Sequence, residues 1–231
     1  MTVSVAMATY NGAAYIERQL QSVLSQLQEA DELVVSDDGS TDGTRRLLDK
    51  WASRDARIKV IDGPKAGAIK NFEHAVAACV GDWIFLCDQD DEWDADKYGS
   101  VMIEAENGAM LVMHDARIVD EDGRVLKPSF FATRGTKTGL LKNLWKNSYI
   151  GCCMAFSRRL TDYVLPFPDS IPMHDQWIGL QAERHGNVVL IDRPLMSYRR
   201  HGGNVTADEH GSLGTMLKQR AGMIRALCKH R

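Results

Sequence analysis

Three carboxylates fall within four residues at Asp88-Gln89-Asp90-Asp91. Like charges this close repel, and a divalent cation seated among them relieves the repulsion. Magnesium or manganese suits hard oxygen ligands, with phosphate oxygens completing the shell. A solvated acidic turn is the competing reading. A second pair opens the run Asp37-Asp38-Gly39-Ser40. A carboxylate there can accept a hydrogen bond from a nucleobase imide or a ribose hydroxyl, although the same residues also make ordinary turns and helix caps. Asp175, in His174-Asp175-Gln176-Trp177, can serve as a general base, being ionised at neutral pH unless buried. An acid favoured by a helix N-terminus would look the same. Tyr198 to Asn204 packs Arg199, Arg200 and His201 into a glycine-rich turn. Such cations neutralise a diphosphate leaving group, and His can also ligate metal; a solvated basic loop is the alternative. His114-Asp115 reads as a strand end followed by a turn. No Walker A or GxGxxG loop is present, which disfavours P-loop NTPases and typical dinucleotide enzymes.

These residues need elements to position them. Val3 to Ala8 reads as a buried strand, and Asn11-Gly12 turns the chain. Ile16, Leu20, Val23, Leu24 and Leu27 fall at helical spacing. Leu33 to Ser36 is a second strand. Leu47, Leu48 and Trp51 mark a helix, with Ser40, Thr41 or Asp42 as its N-cap. Lys59 to Ile61 is a third strand, Phe72 to Cys79 a third helix face, and Trp83 to Cys87 a fourth strand. This alternation predicts an α/β fold with a mainly parallel sheet and helices on both faces. Ligands then bind beyond the carboxyl ends of the strands. Thr9-Tyr10-Asn11, Asp37-Asp38 and Asp88 to Asp91 all lie there, so three loops converge on one edge.

Beyond this half, Met110 to His114 reads as a strand. Ala116 to Val119 and Arg124 to Leu126 read as a hairpin. Residues 127–139 read as a loop and Leu140 to Trp145 as a short helix. Tyr149 to Phe156 is strand-like, His174 to His185 helical, and Val188 to Ile191 a strand. No linker or repeat divides the chain, which reads as one domain over 1–212, with halves 1–109 and 110–212, followed by a C-terminal helix over 213–231.

The 231 residues carry a net charge of −3, unevenly spread. Residues 213–231 hold five basic residues and no acid, which leaves −8 on residues 1–212. So acidic a body argues against nucleic acid as partner. No apolar run is long enough to span a membrane, and the first nine residues carry no signal pattern. The five cysteines form no CxxC, so neither a disulfide framework nor a structural zinc site is expected, and a reducing cytoplasm is the expected compartment. In the C-terminal segment Leu213, Met216, Leu217, Met223, Ile224 and Leu227 fall near one helical face, with Lys218, Arg225 and Lys229 largely away from it. A basic amphipathic helix can lie on the inner face of an anionic membrane; packing on the domain or on a second subunit, as in a homo-oligomer, is the equal alternative.

Taken together and in order, Ala8-Thr9-Tyr10-Asn11-Gly12, Val35 to Thr44, Asp88 to Trp93, His174 to Trp177 and Tyr198 to His201 resemble glycosyltransferase family 2, the inverting transferases with the GT-A fold. The resemblance covers roughly residues 3–205. It implies a nucleoside-diphosphate sugar donor, a glycan or lipid-linked acceptor hydroxyl, and a divalent cofactor, magnesium or manganese. It implies that Thr9, Tyr10 and Asp38 line the nucleoside pocket, with Asn11 and Asp37 beside them and Lys70 and Asn71 at donor contacts. Asp90 would face the ribose or the metal, Asp91 would be the main metal ligand with Asp88 in support, and Asp175 would deprotonate the acceptor. His201 would be a further metal or diphosphate ligand, supported by Arg199 or Arg200. Both Asp88-Gln89-Asp90 and Asp90-Asp91 fit the family's metal motif, so the ligand within the cluster stays open. The Asp-Gln-Asp-Asp-x-Trp form is similar to rhamnosyltransferase-type members that build bacterial O-antigen or capsule, implying dTDP-rhamnose. A metal-dependent sugar nucleotidyltransferase and a non-catalytic sugar-nucleotide or glycan-binding protein are the rival functions. The first is disfavoured by the lack of a glycine- and lysine-rich N-terminal loop.

Overall fold

A computed structural model describes residues 1–202 and 213–229. Gly203, Asn204 and Arg231 of the sequence reading lie outside the described residues. Strands β1 (Val3–Thr9), β2 (Glu32–Asp37), β3 (Ile58–Asp62) and β4 (Trp83–Asp88) alternate with α1 (Ile16–Leu24), α2 (Thr44–Ala52) and α3 (Ala68–Ala77). The chain continues through β5 (Glu92–Trp93), α4 (Lys97–Glu106), β6 (Leu111–Val119), β7 (Val125–Lys127), α5 (Phe130–Arg134) and α6 (Leu140–Trp145). Then follow β8 (Met154–Ser157), α7 (Thr161–Val164), α8 (His174–His185), β9 (Val188–Arg199) and α9 (Leu213–Lys229).

Among the described residues these strands form a single sheet in the order β3-β2-β1-β4-β8-β6-β9-β5, with β7 paired to β6. The first four strands are parallel. Beyond them the sheet is mixed: β8 runs antiparallel to both β4 and β6, while β6 and β9 are parallel. Successive residues Val3 to Met7 of β1 are all buried, as a strand covered on both faces requires. The sheet register sets the site. Thr9 pairs with Asp37 and Ala8 with Asp88, so the polar ends of β1, β2 and β4 lie side by side at one edge.

Several local expectations are corrected. Gly43, at φ 100°, holds the cap position of α2, a left-handed conformation that glycine adopts without strain. Asp42 still serves that helix from one residue outside, accepting from the Thr44 amide at 3.0 Å. The expected loop 127–139 contains α5, capped by Ser129, whose hydroxyl accepts from the Ala132 amide. His114-Asp115 lies inside β6 at a register irregularity against β9. The buried Asp115 carboxylate accepts from the Phe131 amide at 2.8 Å and the Ser129 hydroxyl at 2.5 Å. Only the end of the apolar run Tyr149 to Phe156 is strand. Gly151–Cys153 is a 3-10 turn, and a Cβ on Gly151 would lie 2.9 Å from His174 Nε2. Helix α8 is buried from His174 through Ala182, the polar residues His174, Asp175, Gln176 and Gln181 included.

In α9, Met223 and Ala226 are buried against the domain and Leu227 partly so, whereas Leu217 and Ile224 face outward. The apolar residues that the sequence placed near one face are therefore divided between two surfaces. Packing on the domain is the arrangement that the inward set makes. No helix of the described residues is long and apolar enough to cross a membrane.

Candidate active site

Gln89 ties the first two loops together. Its carbonyl oxygen accepts from the Thr9 hydroxyl at 2.5 Å and the Tyr10 amide at 2.9 Å, and its amide donates to the Tyr10 carbonyl at 3.1 Å. The adjacent Gly12 is needed for this approach, because a Cβ there would overlap the Gln89 side chain. Asn11, at φ 51°, bridges to the third loop. Its amide donates to Ser40 Oγ at 2.9 Å, and its Oδ1 accepts from the Thr41 amide at 2.8 Å. Asp37 accepts from both the amide and the hydroxyl of Ser40. Asp38 accepts from the amides of Lys65 and Gly67 at 2.6 and 2.9 Å. The edge is thus cross-linked before any ligand arrives, and Tyr10 leaves its ring 56% exposed above it.

Lys70 and Asn71 have inward partners. Lys70 Nζ donates to the Phe167 carbonyl at 3.0 Å and pairs with Glu73 and Asp169, both at 2.9 Å. Asn71 is buried, and its amide donates to the carbonyls of Ser36 and Thr9 at 2.9 and 3.3 Å. Asn71 therefore holds the ends of β1 and β2 together.

The acidic cluster divides in two. Asp90 pairs with His201 at 2.7 Å, and the His201 ring stacks on Tyr15 with centroids 4.7 Å apart. Asp88 and Asp91 instead group with Cys152, the three ligand atoms all lying within 4.8 Å of one another. The backbone amide of Arg199 donates to Asp91 Oδ1 at 2.9 Å, while Asp91 Oδ2 is buried with no hydrogen-bond partner. Burial first, then neighbouring carboxylates, raise the pKa values of both Asp88 and Asp91. A buried anionic oxygen without a donor is costly, and a hard divalent cation is the partner that such a pair accepts. The residues present therefore fit a divalent metal, with Asp91 and Asp88 as its carboxylates. Arg199 is 3% exposed. Its guanidinium donates to the carbonyls of Asp90, Asp120 and Glu121, so it organises the loops that carry the acids. Arg200 Nη1 lies 3.5 Å from the Tyr198 hydroxyl.

Asp175 opens α8 on the far side of the cluster. Burial lifts its carboxyl to about 6, against opposing hydrogen bonds from the amide of Gln176, from Asn147 and from the amide of Gly151. Gln176 N lies 2.5 Å and Asn147 Nδ2 3.3 Å from Asp175 Oδ1. Asp175 is also close enough to Asp88 to raise its pKa. One turn borders both groups: a Cβ on Gly151 would lie 3.7 Å from Asp175 Cβ, and the next residue, Cys152, groups with Asp88 and Asp91. Beside Asp175, His174 is buried, stacked on Phe72 at 4.2 Å, and pushed down to about 4 by burial, so it is neutral at physiological pH.

Two residues of this site escaped the sequence reading. Cys152 had no spacing signal, and only the sheet brings it to the acids. Lys97 is buried beneath them. Its Nζ donates to the Cys152 carbonyl at 2.8 Å and lies 4.0 Å from the centroid of the Trp93 ring.

A polar edge on parallel strands, a metal-fit carboxylate pair and a buried carboxylate are the parts expected of a GT-A glycosyltransferase. Residues 4–165 match the description Glycosyl transferase family 2, and the chain belongs to that family. TuaG of Bacillus subtilis, named for teichuronic acid biosynthesis as a glycosyltransferase, is 30% identical over 182 residues, covering 77% of this chain and 71% of TuaG. An uncharacterized glycosyltransferase of Nostoc is 27% identical, covering 88% of this chain and 66% of its own length. For an uncharacterized Mycobacterium tuberculosis protein, 25% identical, those shares are 86% and 59%. The chain thus spans less than two thirds of these two relatives. Among solved structures, S. aureus TarS with UDP-GlcNAc superposes with a TM-score of 0.76 at 20% identity, covering all of this chain and 67% of that one. The mannosyltransferase PcManGT of Pyrobaculum calidifontis, in complex with GDP-Man and Mn2+, gives 0.65 at 19% identity, covering 98% and 63%. These likenesses confirm the expected GT-A fold.

Proposed function

We propose that this chain transfers a sugar from a nucleoside-diphosphate donor to a carbohydrate hydroxyl, with inversion at the anomeric carbon, in bacterial surface-polysaccharide synthesis. The observation that carries this reading is the Gly151-Cys152 turn, which has the buried Asp175 on one side and the Asp88/Asp91 pair on the other. Thr9, Tyr10, Asn11, Asp37 and Asp38 would frame the nucleoside. At pH 7 a carboxyl of pKa about 6 is about nine-tenths ionised, and it remains basic enough to take a hydroxyl proton as the bond forms. The acceptor oxygen bonds to the anomeric carbon, its proton passes to Asp175, and the bond to the diphosphate oxygen breaks on the opposite face. A bound divalent cation would neutralise charge growing on the diphosphate. Holding both substrates in line supplies much of the remaining acceleration.

The donors named for TarS and PcManGT are UDP-GlcNAc and GDP-Man, and the Asp88 to Trp93 motif adds dTDP-rhamnose as the first donor to try. Calorimetric titration with UDP, dTDP, GDP and CMP, each with and without manganese, tests the reading. Metal-dependent binding of one nucleoside diphosphate is expected. Asp175→Asn should then lower kcat by about a thousandfold or more while leaving that binding within about twofold. The parent's rate should rise with pH to a plateau above about 6. Wild-type turnover by the variant would remove Asp175 as the base, and binding without turnover of any donor would favour a sugar-nucleotide-binding protein.

A further inference from the structure

Helix α6 turns two of its apolar residues outward, while Leu140 and Leu144 pack against the core. Leu141 is 80% and Trp145 67% exposed, one turn apart on the same face. Lys142 and Lys146 flank them, and both are exposed. Lys137 is exposed beside them, and its carbonyl accepts from Asn143 Nδ2 of α6 at 2.9 Å. The patch continues onto α9. The Arg220 guanidinium lies 4.1 Å from the Trp145 ring centroid, and its Nε donates to the Trp145 carbonyl at 3.0 Å. Leu217 and Ile224, both exposed, stand three residues before and four after Arg220, on the same helical side.

The surrounding sequence has one sign of charge. Residues 123–161 contain eight Lys and Arg and no acid, and residues 213–231 contain five and no acid, in a chain whose net charge is negative. Glu183, beneath α6, is held inward by the Tyr149 hydroxyl at 2.7 Å and the Gly139 amide at 2.6 Å. An exposed Trp and Leu rimmed by long cations is the composition that seats in an anionic lipid interface: the rings and methyl groups enter the acyl boundary while the ammonium groups meet lipid phosphates. The patch also adjoins the chemistry. Asn143, on α6, accepts at its carbonyl from Gln176 Nε2 at 2.8 Å, and Asn147, two residues past α6, contacts Asp175.

We propose that Leu141, Trp145, Leu217 and Ile224, with Lys137, Lys142, Lys146 and Arg220, form an interfacial anchor that seats this chain on an anionic phospholipid surface. The seat sets the Asp175 side of the active site at the membrane plane, where a lipid-linked acceptor presents its hydroxyl. This last clause rests on the transferase reading; the anchoring does not.

The full chain is floated with vesicles of phosphatidylcholine, with and without one quarter phosphatidylglycerol, at about 0.1 M salt, where surface charge still acts over ~10 Å. Flotation with the phosphatidylglycerol vesicles is expected. Leu141→Ser with Trp145→Ser, or Lys142→Glu with Lys146→Glu, should weaken it about tenfold or more. Both double variants should still bind nucleoside diphosphate as the parent does, so failure of the anchor is distinguishable from failure of the transferase reading. Brominated acyl chains should quench Trp145 fluorescence in the parent, and Trp145→Phe should lose that quenched component; this arm does not depend on how the double variants fold. No flotation of the parent, equal flotation of the variants, or unquenched Trp145 overturns the proposal. So does a micromolar dimer that Leu141→Ser with Trp145→Ser dissociates, because it would assign the patch to a second copy of the chain.

Discussion

Burial holds the Asp175 carboxyl at about 6 in the folded chain against 3.8 in a solvated one. Stability from this group is therefore fully present below about 4 and is lost as pH rises through about 6, leaving a penalty on the order of 3 kcal/mol at neutral pH. Asp175→Asn keeps an oxygen to accept the Gln176 amide and removes the buried charge. Urea unfolding should show the variant more stable than the parent at pH 7.5 and equal to it near pH 4. Equal stability at both values would mean that Asp175 is solvated in solution. Asp175 and the acids of Asp88 to Asp91 were legible as residues, because carboxylates at strand ends and helix starts are visible in one dimension. Their environment was not. Nothing in the spacing pairs Asp91 with Cys152 rather than with Asp90 and His201, since Cys152 arrives through β8, a strand that enters the sheet antiparallel between β4 and β6.

The elements of the first half were readable because each strand is a short apolar run ending in a polar cluster, with a helix-period face between. β9 was not readable beyond Ile191. Asp192-Arg193-Pro194 interrupts the apolar run, yet the strand continues to Arg199 through a register shift at Pro194. The helix α6 was found, but a pattern of apolar residues does not say which face turns outward. At this scale the contact between Gly12 and Gln89 gives a direct test. Gly12→Ala places a methyl group on the Gln89 side chain, which must shift and loosen its hold on Thr9 and Tyr10. A loss of about 1–3 kcal/mol and weaker nucleotide binding are expected, and Gln89→Ala in the same chain should recover part of the stability. A double-mutant cycle reads this directly; strictly additive effects would show that the two side chains do not meet.

At the scale of the molecule, one sheet carries the proposed nucleotide edge on its parallel half and the metal-fit acids and proposed base where the mixed half joins it. Ligands should therefore stabilise the whole chain. Nucleoside diphosphate with manganese at a hundredfold its Kd should add about 2.7 kcal/mol, or ~5–10 °C in Tm for a chain of this size. Chelation should abolish the manganese-dependent part. An unchanged Tm under saturating ligand would contradict binding to the folded state. The overall α/β alternation and the GT-A resemblance were in the sequence, because order along the chain maps onto order in a parallel sheet. The mixed half was not, because antiparallel insertion leaves no comparable trace.

The interlocked edge bears on how such enzymes diversify. Gln89 grips the loop after β1, Asn11 of that loop grips the loop after β2, and Asn71 ties the ends of β1 and β2 from behind. A change in donor preference made by swapping a single loop would leave at least one neighbouring loop with unmatched hydrogen-bond groups. On the proposed reading, the three loops together are the unit that sets donor specificity. Chimeras that exchange residues 9–12, 37–42 and 88–91 as a block should fold where single-loop grafts fail.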